Sequence, residues 1–201
     1  MISVELRLAF AKLVSVVFHP AILILLLPFL VIYRQTAGSF YAMKWQIFSS
    51  LFVFLAGFLV YLGERVGVFS DADISKRTER DKFYLMITIL TVLFMAIAII
   101  LEGIIFVPVI IAFGVLFGVL LFAALNHILK ISIHSGVMCT FVVTMGLLYG
   151  INAFFATIWI LPLVIWARVV LKKHSFKDAF WGAFLGAGIT LGTFFIGRGL
   201  L

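Results

Sequence analysis

Within Trp166–Asp178 (WARVVLKKHSFKD), Arg168 precedes His174 by six positions and Asp178 follows it by four. A helix beginning near His174 would put the imidazole and the carboxylate on one face. A carboxylate bonded to one imidazole nitrogen fixes the tautomer and leaves the other nitrogen nucleophilic. Arg168, returning across a turn, would add a planar two-pronged donor suited to an oxyanion such as phosphate. Asp178 also has a simpler reading, as a negative charge at the positive end of a helix. Lys172, Lys173 and Lys177 read as anchors to lipid headgroups.

Two further stretches carry polar chemistry. Asn126–Gly136 (NHILKISIHSG) puts His127, Lys130, Ser132, His134 and Ser135 where one helix ends and the next begins, and the open N–H groups of a helix start favour anions. A histidine at such an edge can be merely hydrogen-bonded; the adjacent lysine and serines strengthen the catalytic reading. Asp71–Lys82 (DADISKRTERDK) holds eight charged residues in twelve and reads as a solvated loop with internal ion pairs. Its mixed signs argue against a basic patch for lipid.

The elements that must position these groups are membrane helices. Of 201 residues, 65% are hydrophobic and 11% charged, against about a quarter charged in soluble domains. This excludes a soluble enzyme, a disordered chain and, with Cys139 the single cysteine, a disulfide scaffold. The net charge of +7 fits an anionic lipid surface or an anionic substrate, and no long basic face is left for nucleic acid. Apolar runs near 8–33, 42–63, 83–101, 104–127, 134–150, 153–171 and 176–197 are each long enough to be candidate spans. The expected fold is therefore all-α, a polytopic transmembrane bundle of six to seven spans forming one domain over 1–201. Pro20 and Pro28 predict a kinked or partly re-entrant first span, too long for a signal-peptide core and without a convincing cleavage site. Gly182, Gly186, Gly188 and Gly192 form two small-xxx-small pairs for close helix packing. Trp45, Trp166 and Trp181 read as interfacial anchors, and His19, beside Pro20, as a kink or packing residue.

Alternating spans put the N-terminus, 64–82, 128–133 and 172–175 on one face, with 12 of the 15 basic residues. Arg34, Lys44 and Arg198 lie opposite, and of the eight acids only Glu102 joins them. The middles of the spans are nearly free of charge, which argues against a small-solute channel.

These residues resemble the type 2 phosphatidic acid phosphatase superfamily. Arg168-x5-His174-x3-Asp178 matches its third signature, with Ala167 in place of the usual serine. Ile131-Ser132-Ile133-His134 aligns with the second, Pro-Ser-Gly-His, keeping the serine and histidine. Asp73 through Arg80 and Asp81 aligns with the first, Lys-x6-Arg-Pro, keeping Arg80 alone; Lys76 or Lys82 would replace the missing lysine. The resemblance covers about 64–197, a phosphatase-like core resembling the superfamily's helical bundle (shared with vanadium haloperoxidases), and leaves 1–63 as two additional N-terminal spans.

The resemblance implies phosphoryl transfer through a phosphohistidine, without a metal or other cofactor. His174 would attack phosphorus, Asp178 would orient it, and His134 would protonate the leaving oxygen. Arg80, Arg168 and Ser132, with Lys76 or Lys82, would bind phosphate. The expected partner is a lipid phosphate whose tail stays among membrane lipids: a polyprenyl diphosphate such as undecaprenyl diphosphate by preference, or phosphatidic acid, phosphatidylglycerol phosphate or a lipid A phosphate. The setting implied is a bacterial plasma membrane. Lys/Arg asymmetry puts the charged face in the cytoplasm, whereas similar carrier-recycling enzymes work on the outer side. A non-hydrolytic lipid-phosphate binder or transporter and a lipid phosphotransferase remain as alternatives; oligomeric state is left open.

Overall fold

The computed structural model describes residues 4–36, 38–104 and 106–200. Among them there are nine helices and no strand: α1 Val4–Val17, α2 Pro20–Thr36, α3 Ser39–Arg65, α4 Arg77–Glu102, α5 Val107–Asn126, α6 Ile133–Tyr149, α7 Ile151–Thr157, α8 Ile160–Val170 and α9 Phe176–Leu200. Six stretches are long and apolar enough to cross a membrane: Val4–Thr36, α3, α4, α5, Ile151–Val170 and α9, while α6 is a shorter apolar helix. Large apolar side chains such as Phe54, Leu85, Phe117, Phe184 and Phe195 point outward along these helices. In water that would be an aggregation surface; in lipid it is the required exterior. The protein is an all-α polytopic membrane bundle.

The chain forms two compact units, Met1–Ile24 with Lys130–Leu191, and Leu25–Leu129 with Gly192–Leu201. In the first, α1 packs on α8, and α6 packs on both α7 and α8. Its core is Ala11, Val14, Leu23, Met138, Val142, Val164 and Ala167. The buried stripe of α1 runs Ala11, Val14, Ser15, the spacing of one helical face. The α1 half of the first span thus shares a core with the segments that carry His134 and His174.

The Val4–Thr36 stretch has 33 residues, about 50 Å of helix against a hydrocarbon layer of about 30 Å. It breaks at Phe18–His19. Pro20 opens α2 at a position where its missing N–H costs nothing, and His19 Nδ1 accepts the Ala21 N–H at 3.2 Å as the cap. Pro162 acts similarly on the sixth expected span, which divides into α7 and α8; Leu161 N–H bonds the Ile158 carbonyl at 3.2 Å in a tighter turn. Gly150, between α6 and α7, sits at φ 90°, ψ 179°, a region essentially reserved for glycine.

In the second unit α3 and α5 both pack on α4. The core is Ile32, Ala42, Trp45, Ala98, Val107 and Val109. Trp45 is 1% exposed and its ring meets Phe48 and Phe94 at 5.4 and 6.0 Å, so it is a core residue and not an interfacial anchor. Gln46 spans the turn around Pro28: its Oε1 accepts from Phe29 N at 3.0 Å and its Nε2 donates to the Leu25 carbonyl. Lys44 and Glu102 pair at 2.7 Å.

Candidate anion site around Arg168

Local helix chemistry explains the Arg168-to-His174 spacing. Helix α8 ends in a Schellman turn. Lys172 adopts the left-handed conformation at φ 55°. Its N–H bonds the Val169 carbonyl at 3.0 Å, and Lys173 N–H bonds the Arg168 carbonyl at 3.1 Å. His174 N–H lies on the same Arg168 oxygen at 3.4 Å. Arg168 is thus the residue on which the turn closes, and His174 leaves that turn at a fixed place.

The Arg168 side chain is 3% exposed. Its Nη1 donates to Ser15 Oγ at 2.8 Å and lies 3.5 Å from His134 Nε2. A guanidinium carries only donors, so when the His134 ring is neutral its Nε2 lone pair suits this contact. The His19 ring meets His134 edge-on, with centroids 5.1 Å apart and planes at 90°.

His174 is 8% exposed, and its Nδ1 lies 3.0 Å from the Lys130 carbonyl oxygen. A carbonyl only accepts, so Nδ1 carries the proton and Nε2 the lone pair. That is the tautomer a nucleophilic imidazole needs, and a backbone oxygen fixes it. Asp178 does something else. Helix α9 starts at Phe176, so His174 lies outside it and the shared-face argument does not apply. Ser175 is the cap: its Oγ accepts from Asp178 N at 3.1 Å, and Asp178 Oδ2 accepts from Ser175 N at 2.9 Å. This reciprocal pair is a capping box.

Ser132 caps α6. It is fully buried, and its Oγ accepts from Ser135 N at 3.4 Å and from Ser135 Oγ at 3.1 Å. Its N–H donates to the Asp178 carbonyl at 3.2 Å. The starts of α6 and α9 are therefore in direct contact, and two glycines permit it. A Cβ on Gly182 would come within 2.3 Å of the Ser132 carbonyl oxygen, and one on Gly186 within 2.2 Å of the Gly136 oxygen. Gly188 and Gly192 face open space, so of the two expected small-residue pairs the first alone is a packing face.

One unit therefore holds Ser132, His134, Arg168, His174 and Asp178. Arg80, Lys76 and Lys82 belong to the other. Arg80 is 3% exposed and its Nε donates to the Ile74 carbonyl at 3.2 Å. Ile74 sits at φ 48°, a costly conformation for a β-branched residue. Lys76 is exposed and pairs with Glu79 at 3.4 Å; Lys82 is exposed. Asn126 Nδ2 donates to Asp81 Oδ1 at 3.1 Å and to the Arg77 carbonyl at 3.3 Å, tying the end of α5 to the start of α4. The groove of about 390 Å³ beside this joint is lined by Asp81, Tyr84, Thr88 and His127 with apolar neighbours and no lysine or arginine. Its lining does not suit an anion.

Ser15 was not a candidate from the sequence, because one serine in an apolar run has no distinguishing pattern. The Ser175-x-x-Asp178 box was legible, being a known helix-start signal. The chain matches no protein-family model, no curated protein and no solved structure.

Proposed function

We propose that this protein is a lipid phosphatase working through a phosphohistidine on His174. The observation that supports the reading is the His174 tautomer, proton on Nδ1 and lone pair on Nε2, set by the Lys130 carbonyl in the unit where buried Arg168 reaches His134. His174 Nε2 attacks phosphorus; the bond to the leaving oxygen breaks, and that oxygen takes a proton from His134, which enters the step doubly protonated and leaves it neutral. Arg168 draws on the charge that spreads over the equatorial oxygens in the transition state. Water then attacks phosphorus, giving its proton to the neutral His134 as the P–N bond breaks, which releases inorganic phosphate and restores both histidines. No step calls for a metal.

The residues concerned stand at helix ends: His134 in the first turn of α6, Arg168 in the last turn of α8, His174 just before α9. Such a site suits a substrate whose tail stays in the bilayer while its phosphate reaches the interface. A polyprenyl diphosphate is the preferred class, with phosphatidic acid and phosphatidylglycerol phosphate next, in a bacterial plasma membrane.

Purified protein given a panel of these lipids in chelator is expected to release inorganic phosphate, and His174→Ala to abolish release. Equal release by that variant would overturn the mechanism. A second reading, a binder or transporter that does not hydrolyse, is favoured by Asp178 being engaged in the α9 cap. It predicts lipid-phosphate binding with no phosphate released from any member of the panel.

A further inference from the structure

The break between α1 and α2 lies outside the stretch that carries the three signatures, yet it touches two of the residues just assigned to the reaction. Ser15 lies in the last turn of α1, and His19 lies between α1 and α2. Ser15 is 7% exposed and accepts from Arg168 Nη1 at 2.8 Å, a short charge-assisted bond. A guanidinium on a long flexible stem is useful to an anion only where its fork is aimed, and Ser15 is a fixed point for that aim. His19 serves two purposes at once. Its Nδ1 is engaged by the Ala21 N–H, so the ring is held in place by the cap of α2. In that position its ring plane stands at right angles to that of His134.

We infer that the α1–α2 break is a working part of the anion site, with Ser15 and His19 as positioning residues that aim Arg168 and His134. The inference rests on the phosphatase reading above and adds to it a contribution from the first span, which the signatures do not include. Neither side chain takes part in bond making. Ser15 acts through Arg168 on oxyanion binding. His19 acts through His134 on proton transfer, and so on turnover.

The test uses the full chain in detergent, with orthovanadate as the anion probe and lipid-phosphate turnover as the second readout. Ser15→Ala is expected to weaken vanadate binding about tenfold, in line with losing a hydrogen bond to a charged group. Ser15→Thr, which keeps the hydroxyl, restores it. On an Arg168→Ala background, Ser15→Ala adds no further loss, since the serine acts only through the arginine. His19→Asn keeps a good capping side chain and removes the ring; it is expected to lower kcat about tenfold with KM unchanged and the melting temperature within a degree or two of wild type. Wild-type binding by Ser15→Ala, or equal losses from Ser15→Thr and Ser15→Ala, overturns the Ser15 assignment. Unchanged kcat in His19→Asn overturns that of His19. Either result leaves the phosphatase reading standing as long as His174→Ala is dead. If the wild-type protein neither binds vanadate nor releases phosphate, both the reading and this inference fall together.

Discussion

The carbonyl oxygen of Arg168 accepts the backbone N–H of His174 at 3.4 Å. One residue thereby touches both histidines, because the Arg168 guanidinium lies 3.5 Å from His134 Nε2. The six-residue spacing between Arg168 and His174 is the length of a helix-closing turn. A substitution at Arg168 removes the side-chain contact to His134 and keeps the main-chain oxygen that accepts from His174.

Side-chain removal at Arg168 is expected to affect the reaction more than the fold. Arg168→Ala should lower kcat for lipid-phosphate release by about 10²–10³, the range for losing one preorganised donor to a developing oxyanion. Arg168→Lys should recover only part of this, because a point charge does not reproduce a planar fork. Steady-state phosphate release checks both, with size-exclusion profiles of the detergent-solubilised variants as the control for folding.

The Ser175–Asp178 box makes a stability prediction. Ser175→Ala and Asp178→Ala should each cost about 0.5–2 kcal/mol, the usual worth of a helix cap. The double variant should cost less than the two together, since each partner's bond depends on the other. Thermal or SDS-induced unfolding of the three variants is the measurement. No stability change in Asp178→Ala would mean the carboxylate is not a cap.

Glycines in α9 divide into two classes. Gly182→Ala and Gly186→Ala put a methyl against backbone carbonyls that cannot retreat, at 2.3 and 2.2 Å. Each is expected to cost at least 1–3 kcal/mol, roughly the range for overpacking, and to reduce activity by shifting the start of α9 from that of α6. Gly188→Ala and Gly192→Ala face open space and should be neutral or slightly stabilising. Melting temperatures of the four variants test the contrast.

Lys172 occupies a left-handed position that glycine adopts without strain. Relief of that conformation is worth about 1–2 kcal/mol, against about 0.5–1 kcal/mol for the extra chain entropy of glycine. Lys172→Gly should therefore raise stability by roughly 0.5–1 kcal/mol on these two terms and leave turnover unchanged. A fall in melting temperature would contradict the turn geometry described for the end of α8.

The helices were legible because lipid demands long apolar runs: α6 was expected at 134–150 and spans Ile133–Tyr149, and α9 at 176–197 and spans Phe176–Leu200. Helix α4, expected from 83, instead starts at Arg77 and takes in half of Asp71–Lys82, the stretch expected as a loop. Prolines also spoke clearly, since Pro20 stops α1 and Pro162 divides the sixth expected span. Trp45 misled because indole suits both a headgroup layer and a core, and composition does not say which. The roles of His174 and Asp178 were entangled in the sequence because the same four-residue offset serves an imidazole–carboxylate pair and sits beside a Ser-x-x-Asp cap. The backbone resolved that competition in favour of the cap, leaving a main-chain carbonyl to set the histidine. Contacts through main-chain oxygens, like those of Lys130 and Arg168, leave no trace in residue identity. Ser15 was invisible for a related reason, being one small hydroxyl 153 positions away from its partner.

The central claim is that phosphorus is carried on His174. Mixing the protein with a lipid phosphate labelled in its phosphoryl group, quenching within one turnover in alkali and mapping the label by mass spectrometry tests it directly. The account predicts an alkali-stable, acid-labile phosphoryl group on the peptide bearing His174, absent from His174→Ala and accumulating when water attack is slowed. Phosphate released at an undiminished rate by His174→Ala, with no label on that peptide in the wild type, would contradict it.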